Sequence, residues 1–175
     1  MDKEVFDFSI ESLGPCTIQS PIKFSLEHGD FTANYVSDDS YVINNINIYD
    51  TKEPIKLDSS NLIQKAGPRE KIYFDPKHAK AGICTCGGLC PGLNDVIRAI
   101  VRCLNTRYGV KTIKGYQYGY HGFFADSGYE PIELDRYLID EIHKIGGTYL
   151  GTSRGGGTRT SEIVDCLERD GINML

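Results

Sequence analysis

The run from Ala79 to Tyr116 leaves this chain the fewest ways to fold. It opens with a short apolar stretch, residues 79–85, that leads straight into the turn-forming cluster Cys86-Gly87-Gly88-Leu89-Cys90-Pro91-Gly92. Leu93, Val96, Ile97, Ile100, Val101 and Leu104 then recur at steps of three and four. That spacing predicts an amphipathic helix over 93–107, with Asn94, Arg98 and Arg102 off its apolar stripe. Gly109 is placed to stop the helix, and residues 110–116 read as a second strand. Strand, helix, strand in this order predicts a right-handed crossover between parallel neighbours. The fold class that follows is α/β, a Rossmann-like parallel sheet with flanking helices.

Glycine usage divides the chain around this run. Only Gly14, Gly29 and Gly67 fall in the first eighty residues, against 19 glycines in all. Residues 1–78 are therefore expected to form a β-rich N-terminal extension and connector, and 79–175 the α/β part. Alternation in 31–36 and 41–49 predicts two strands joined by a turn at 37–40. Pro68 and Pro76 bracket a connecting segment. Beyond Tyr116, glycines interrupt an aromatic loop that reaches Tyr129. Asp135 is a suitable N-cap for a second helix through Leu138, Ile139, Ile142 and Ile145, ending at Gly146-Gly147. Ser161 is a suitable cap for a third helix carrying Ile163, Val164 and Leu167 and closed by Gly171. Residues 172–175 read as a strand just begun. An open parallel sheet needs more strands than these, so the sequence is expected to be the front part of a larger polypeptide.

Composition removes several classes of function. With 175 residues, 40% of them hydrophobic, the chain is long enough for a real core without disulfide or metal staples. The formal charge of −5 is spread without runs. That argues against a broad nucleic-acid grip and makes any anion site local. No apolar stretch approaches the roughly 20 residues that span a bilayer, and the acidic opening lacks a signal peptide's basic start. A cytoplasmic protein with no membrane partner is the expectation. The six cysteines are too few for a disulfide scaffold, and four lie in apolar or glycine-rich contexts that read as small buried residues with reduced thiols. Cys84, Cys86 and Cys90 have no second pair or histidine cluster to complete a zinc site. His121 and His143 belong to no motif, and no catalytic triad or carboxylate pair stands out.

Two loops carry candidate chemistry. Gly87, Gly88 and Gly92 let backbone N–H groups approach a phosphate at a helix N-terminus. The spacing matches neither the P-loop nor the dinucleotide fingerprint, so a tight βα turn that binds nothing is the alternative. The 151–160 loop offers Thr152, Ser153, Thr158 and Thr160 hydroxyls together with Arg154 and Arg159, whose forks match phosphate oxygens in pairs. A solvated surface loop is its alternative. Both follow strand-like segments, and such loops gather beyond the carboxyl edge of an open sheet. The aromatic loop is either simple packing or a stacking wall for a flat ring.

Cys84-Thr85-Cys86-Gly87-Gly88-Leu89-Cys90-Pro91-Gly92-Leu93-Asn94-Asp95-Val96-Ile97-Arg98, taken with Gly146-Gly147-Thr148-Tyr149-Leu150-Gly151-Thr152-Ser153-Arg154-Gly155, resembles the N-terminal part of a 6-phosphofructokinase. The resemblance spans roughly 67–175 and is to the long-chain subgroup of plants, trypanosome-like protists and some bacteria. It implies ATP-dependent phosphorylation of fructose 6-phosphate at its 1-hydroxyl in glycolysis, with magnesium, in a homo-oligomer. Carried over by position, Gly87 and Gly88 would face the donor phosphates. Arg154 and Gly155 would contact the phosphate and adenosine side, Tyr120 would lie near the adenine, and Arg159 would be a further phosphate-side residue. Leu89 stands where the short bacterial enzymes have an acidic residue, and Gly155-Gly156-Gly157 replaces their bulkier residues. Arg98 and Arg102 align with effector-site positions of those enzymes, with solvated helix arginines as the plainer reading, and allostery stays open. The family's metal-holding Gly-Gly-Asp/Asn-Gly segment and aspartate base do not occur before Leu175. The resemblance therefore implies an N-terminal portion with no catalytic residue and no metal ligand of its own, inactive alone. Pyrophosphate as donor, or a non-catalytic nucleotide or sugar-phosphate binding module, are the alternatives.

Overall fold

The computed structural model describes residues 6–25, 33–45 and 57–175. The chain divides into two compact units, Met1–Tyr73 and Phe74–Leu175.

In the first unit β1 (Ile18–Gln19) pairs antiparallel with β4 (Lys71–Ile72), and β2 (Tyr41–Ile43) pairs antiparallel with β3 (Leu62–Gln64). The turn expected at 37–40 forms, with the Ser40 N–H donating to the Ser37 carbonyl at 3.1 Å. The hairpin it was expected to close does not: β2 takes Leu62–Gln64 as its partner. Beside it the Val36 N–H donates to the Pro68 carbonyl at 2.8 Å. Arg69 fixes this arrangement by donating to the Val36, Ser37 and Lys65 carbonyls at 2.6 to 2.8 Å and pairing with Asp38. The segment read as a connector thus contributes both β4 and the arginine that holds the turn. Residues 31–32 and 46–49 of the expected hairpin lie outside the described residues.

The second unit is a three-stranded sheet in the order β5-β6-β7, formed by Lys80–Cys84, Thr112–Tyr116 and Ile132–Glu133. β5 and β6 are parallel and in register from Lys80 opposite Thr112 to Cys84 opposite Tyr116, with α1 (Leu93–Arg102) as the crossover. The helical path continues as a wider π turn over Cys103–Tyr108 and stops at Gly109, whose φ of 75° is left-handed. β7 is antiparallel to β6, so the sheet is mixed. Its two residues carried no readable alternation. On the other edge of β5, Met174 bridges Ala81 in parallel, and the Gly82 N–H donates to the Met174 carbonyl at 2.7 Å.

Side chains of β6 alternate between two cores, as strand geometry requires. Ile113 joins Ala81, Ile97, Val101, Leu134, Ile139, Ile142 and Leu150 on the α1 side. Tyr116 joins Phe123, Phe124, Ile163 and Cys166 on the side of α2 (Thr160–Asp170). Burying each such aliphatic side chain contributes about 1.5–3 kcal/mol, so Ile97 and Val101 anchor α1. The helix is rotated from its expected stripe: Asn94 is buried, while Val96 and Ile100 are 54% and 40% exposed. Asn94 fits the apolar face because both of its amide atoms are bonded. Nδ2 donates to the Ile145 carbonyl at 2.9 Å, and Oδ1 accepts from the Tyr149 N–H at 2.6 Å.

The second helix expected from Asp135 does not propagate. Asp135 does cap, accepting from the Tyr137 and Leu138 N–H groups at 2.7 and 2.8 Å. The chain then turns and leaves only the 3₁₀ turn Ile142–Lys144. In an α-helix the Asp140 carbonyl would accept from the Lys144 N–H. Here it accepts from Arg98 Nε at 3.0 Å, and Lys144 donates to the Glu141 carbonyl instead. Arg98 and Arg102 also reach the Asp140 carboxylate at 3.4 and 3.2 Å, so neither is a freely solvated arginine. The third helix begins one residue before the expected Ser161 cap, without a side-chain cap bond, and closes at Gly171. Of the cysteines expected to be buried only Cys166 is; Cys84 and Cys103 are half-buried, Cys16, Cys86 and Cys90 are exposed, and all six are free thiols. The small turn and loop residues around the exposed ones leave nothing to cover them.

The end of α2 is tied to the sheet at Asp170. Its carboxylate accepts from the Tyr116 hydroxyl at 2.9 Å and pairs with Lys114 at 3.4 Å, its side chain only 10% exposed. Burial alone would raise the Asp170 pKa, but the Tyr116 hydrogen bond and the Lys114 charge outweigh it and hold the carboxyl below its ordinary value. A depressed folded-state pKa gives stability that is present above the unfolded pKa of about 3.9 and is lost as pH falls through the folded value. Asp170→Asn is expected to cost about 1–3 kcal/mol at neutral pH and to flatten the acid limb of the stability curve. Urea unfolding across pH checks both, and an unchanged acid limb in the variant refutes the assignment.

Candidate nucleotide-phosphate site

Strand β5 delivers the 84–92 loop, and the 151–160 loop lies directly alongside it. Cys86 bridges Ser153 in parallel, the Gly87 N–H donates to the Ser153 carbonyl at 2.9 Å, and Thr152 Oγ1 donates to the Gly87 carbonyl at 3.1 Å. Thr85 Oγ1 adds a bond to the Gly151 carbonyl at 2.6 Å and meets Thr148 Oγ1 at 3.0 Å. Ser153 Oγ donates to the Tyr118 carbonyl, which ties both loops to the aromatic segment after β6. Tyr118 is the residue other than glycine with a positive φ, 55°, among the described residues.

Gly88 and Arg154 face each other. A Cβ built on Gly88 would lie 3.7 Å from Arg154 Nη2, an ordinary contact distance, so the guanidinium rests directly beside the glycine loop. Gly87, at φ 92°, would have nothing within 4 Å of a Cβ, and neither would Gly155. Neither position is walled in by a neighbouring residue. Arg154 is exposed, and no ion pair engages it among the described residues. The helix N-terminus contributes less, because Asp95 in the first turn of α1 already answers its partial positive charge.

Arg159 is placed differently. It pairs with Glu162 and with Asp126 at 3.2 Å, and its guanidinium lies 3.9 Å over the Phe124 ring. The hydrogen bonds it donates to Glu162 and Asp126 push its pKa further up. It is a strut between α2 and the aromatic segment, with its charge already answered by two carboxylates. Tyr120 is partly buried on Phe123, with ring centroids 6.4 Å apart, and runs beneath the glycine segment. A Cβ on Gly156 would lie 3.0 Å from Tyr120 Cβ. The structure thus sets the loop of Gly87 and Gly88 beside that of Arg154 and Gly155, places Tyr120 against Gly156, and engages Arg159 elsewhere.

Several loop hydroxyls expected to face a phosphate are committed to backbone: Thr152 to Gly87, Ser153 to Tyr118, and Thr160 to the Gly157 carbonyl at 3.3 Å. Their work is lacing the loops together. The aromatic segment is mainly core, since Tyr116, Phe123 and Phe124 are at most 3% exposed. Thr85, Thr148 and Asp126 carry no positional signal in the sequence, being single polar residues just past a strand end or in loops. Among the described residues no three His, Cys, Asp or Glu side chains converge as a metal site. No helix among the described residues is long and apolar enough to cross a membrane.

A crossover with a glycine loop at the strand's carboxyl end and an arginine loop laced to it defines an α/β protein of the open-sheet kind. Residues 80–175 match the family Phosphofructokinase, and the chain belongs to that family. It is similar to an ATP-dependent 6-phosphofructokinase of Borreliella burgdorferi, 46% identical over 98% of this chain and 38% of the relative. The chloroplastic ATP-dependent 6-phosphofructokinase 5 of Arabidopsis thaliana is 46% identical over 83% of this chain and 30% of the relative. The ATP-dependent 6-phosphofructokinase of Trypanosoma cruzi is 46% identical over 70% of this chain and 25% of the relative. The chain therefore spans well under half the length of these relatives.

Proposed function

We propose that this chain supplies the donor-phosphate side of an ATP-dependent 6-phosphofructokinase, which transfers a phosphoryl group from ATP to the 1-hydroxyl of fructose 6-phosphate. The observation that carries the reading is Arg154 beside Gly88, an exposed guanidinium with no ion pair among the described residues next to a glycine loop. In phosphoryl transfer the protein's contribution is positioning and neutralisation of charge. Gly87 and Gly88 admit the polyphosphate to the backbone, and the Arg154 fork takes a pair of its oxygens. Gly155 leaves room for the nucleoside, and Tyr120 supports the segment it would lie on. Arg159 holds that segment in place through Asp126 and Glu162. ATP is preferred to pyrophosphate as donor because the relatives' names specify ATP. Magnesium, a homo-oligomer and a cytoplasmic setting belong to the same proposal, as does the division of the protein into an extension over 1–78 and an α/β part over 79–175.

Calorimetric titration of the chain with ATP, and separately with pyrophosphate, tests the proposal. Saturable ATP binding that pyrophosphate competes with only weakly is expected. Tighter binding of pyrophosphate, or binding of neither, overturns it.

A further inference from the structure

Cys84 is the last residue of β5, and Cys86, two residues on, forms the isolated bridge to Ser153. Their sulfurs are 3.9 Å apart. Thr85 between them is directed to Thr148 and Gly151. Cys86 is exposed, whereas Cys84 is half-buried against the cluster of Tyr116, Phe123 and Phe124. Gly119 makes room for the outer sulfur, since a Cβ there would lie 3.1 Å from Cys86 Sγ. A disulfide needs the sulfurs at about 2.05 Å, a closure of about 2 Å shared between two side chains.

We propose that Cys84 and Cys86 form a reversible dithiol/disulfide site, oxidised by small disulfides of the glutathione type. The exposed Cys86 thiolate attacks the oxidant, forms a mixed disulfide and releases one thiol. Cys84 then loses its proton and attacks Cys86 Sγ, expelling the second thiol. Two protein thiols are oxidised to one disulfide, and one small disulfide is reduced to two thiols. The second step is the slow one. Burial, reinforced by the neighbouring Cys86, pushes the Cys84 thiol up to about 12, and exchange runs through the thiolate. The mixed disulfide on Cys86 should therefore build up before the ring closes. The closed form also bears on the site beside it. Cys86 carries the bridge to Ser153, and its neighbour Gly87 donates to the same residue, so drawing Cys86 toward Cys84 strains the lacing between the two loops. This last consequence rests on the proposed nucleotide site; the thiol chemistry does not.

The test is a time course of the full chain in oxidised glutathione, followed by intact mass and by fragment spectra of the peptide holding Cys84, Cys86 and Cys90. A glutathione adduct on Cys86 is expected first, then a species about 2 Da lighter than the reduced chain with the bond between Cys84 and Cys86, reversed by a dithiol reductant. Cys84→Ser should stop the reaction at the adduct. Glutathione that stays on Cys86 indefinitely in the unsubstituted chain overturns the proposal, as does a bond mapped to Cys90 or Cys166. Both readings come from the unsubstituted protein and survive any folding defect in the variant. ATP titration of the oxidised chain is a separate arm, expected to show affinity about tenfold lower, the worth of roughly one charge-assisted contact. Unchanged affinity in the mapped disulfide form removes the link to the nucleotide site and leaves the thiol site standing.

Discussion

Arg154→Ala is expected to weaken ATP binding by about 30- to 100-fold, the loss of about 2–3 kcal/mol from a charge-assisted fork on phosphate. The thermal midpoint should move by no more than about 2 °C, because the side chain is exposed and carries no ion pair among the described residues. Arg154→Lys keeps the charge but not the paired donors, so it should fall between the two. The same substitution at Arg159 should reverse the pattern. That residue joins Asp126, Glu162 and Phe124, and its removal should loosen the loop's seat before it touches the ligand. A folded Arg154→Ala chain that binds ATP as well as the parent would remove the assigned role.

Gly122→Ala should produce the largest loss of stability. A Cβ at this buried position would lie 2.5 Å from the Gln117 carbonyl oxygen and 2.6 Å from the Gln117 nitrogen. Both are main-chain atoms of the segment leaving β6, so no flexible side-chain end can yield. Overpacking that moves backbone costs at the upper end of the usual range, about 3 kcal/mol or more. Gly146→Ala is the control, since a Cβ there meets nothing within 4 Å and its φ is not left-handed. It should be neutral or stabilising by up to about 1 kcal/mol. Urea denaturation of the pair decides the matter, and equal midpoints would mean that the 117–122 turn relaxes freely.

The sequence was readable wherever a periodic run was long. Residues 79–116 displayed strand, turn, helix and strand in order, and the parallel pairing of β5 with β6 followed from chain connectivity. Reading failed where a single distant polar atom decided the outcome. The Arg98 side chain reaches the Asp140 backbone across 42 residues and takes a carbonyl that a second helix would have used. Asn94 looked solvent-facing until its two partners, Ile145 and Tyr149, were seen. β2 chose a partner about twenty residues downstream rather than the segment before the turn, and alternation cannot distinguish the two. In the candidate site, loop chemistry already put Gly88 and Arg154 among the candidates, and the resemblance gave them their particular roles. Of the carboxylates around Arg159, Asp126 was hidden because it lies 33 residues away in sequence.

The two hydrogen bonds of Asn94 reach past the stability of α1. One amide grips both ends of the 145–149 turn, and that turn leads into the arginine loop, while α1 itself starts from the glycine loop. The two loops therefore share one root, and a change at this single amide is transmitted to both at once.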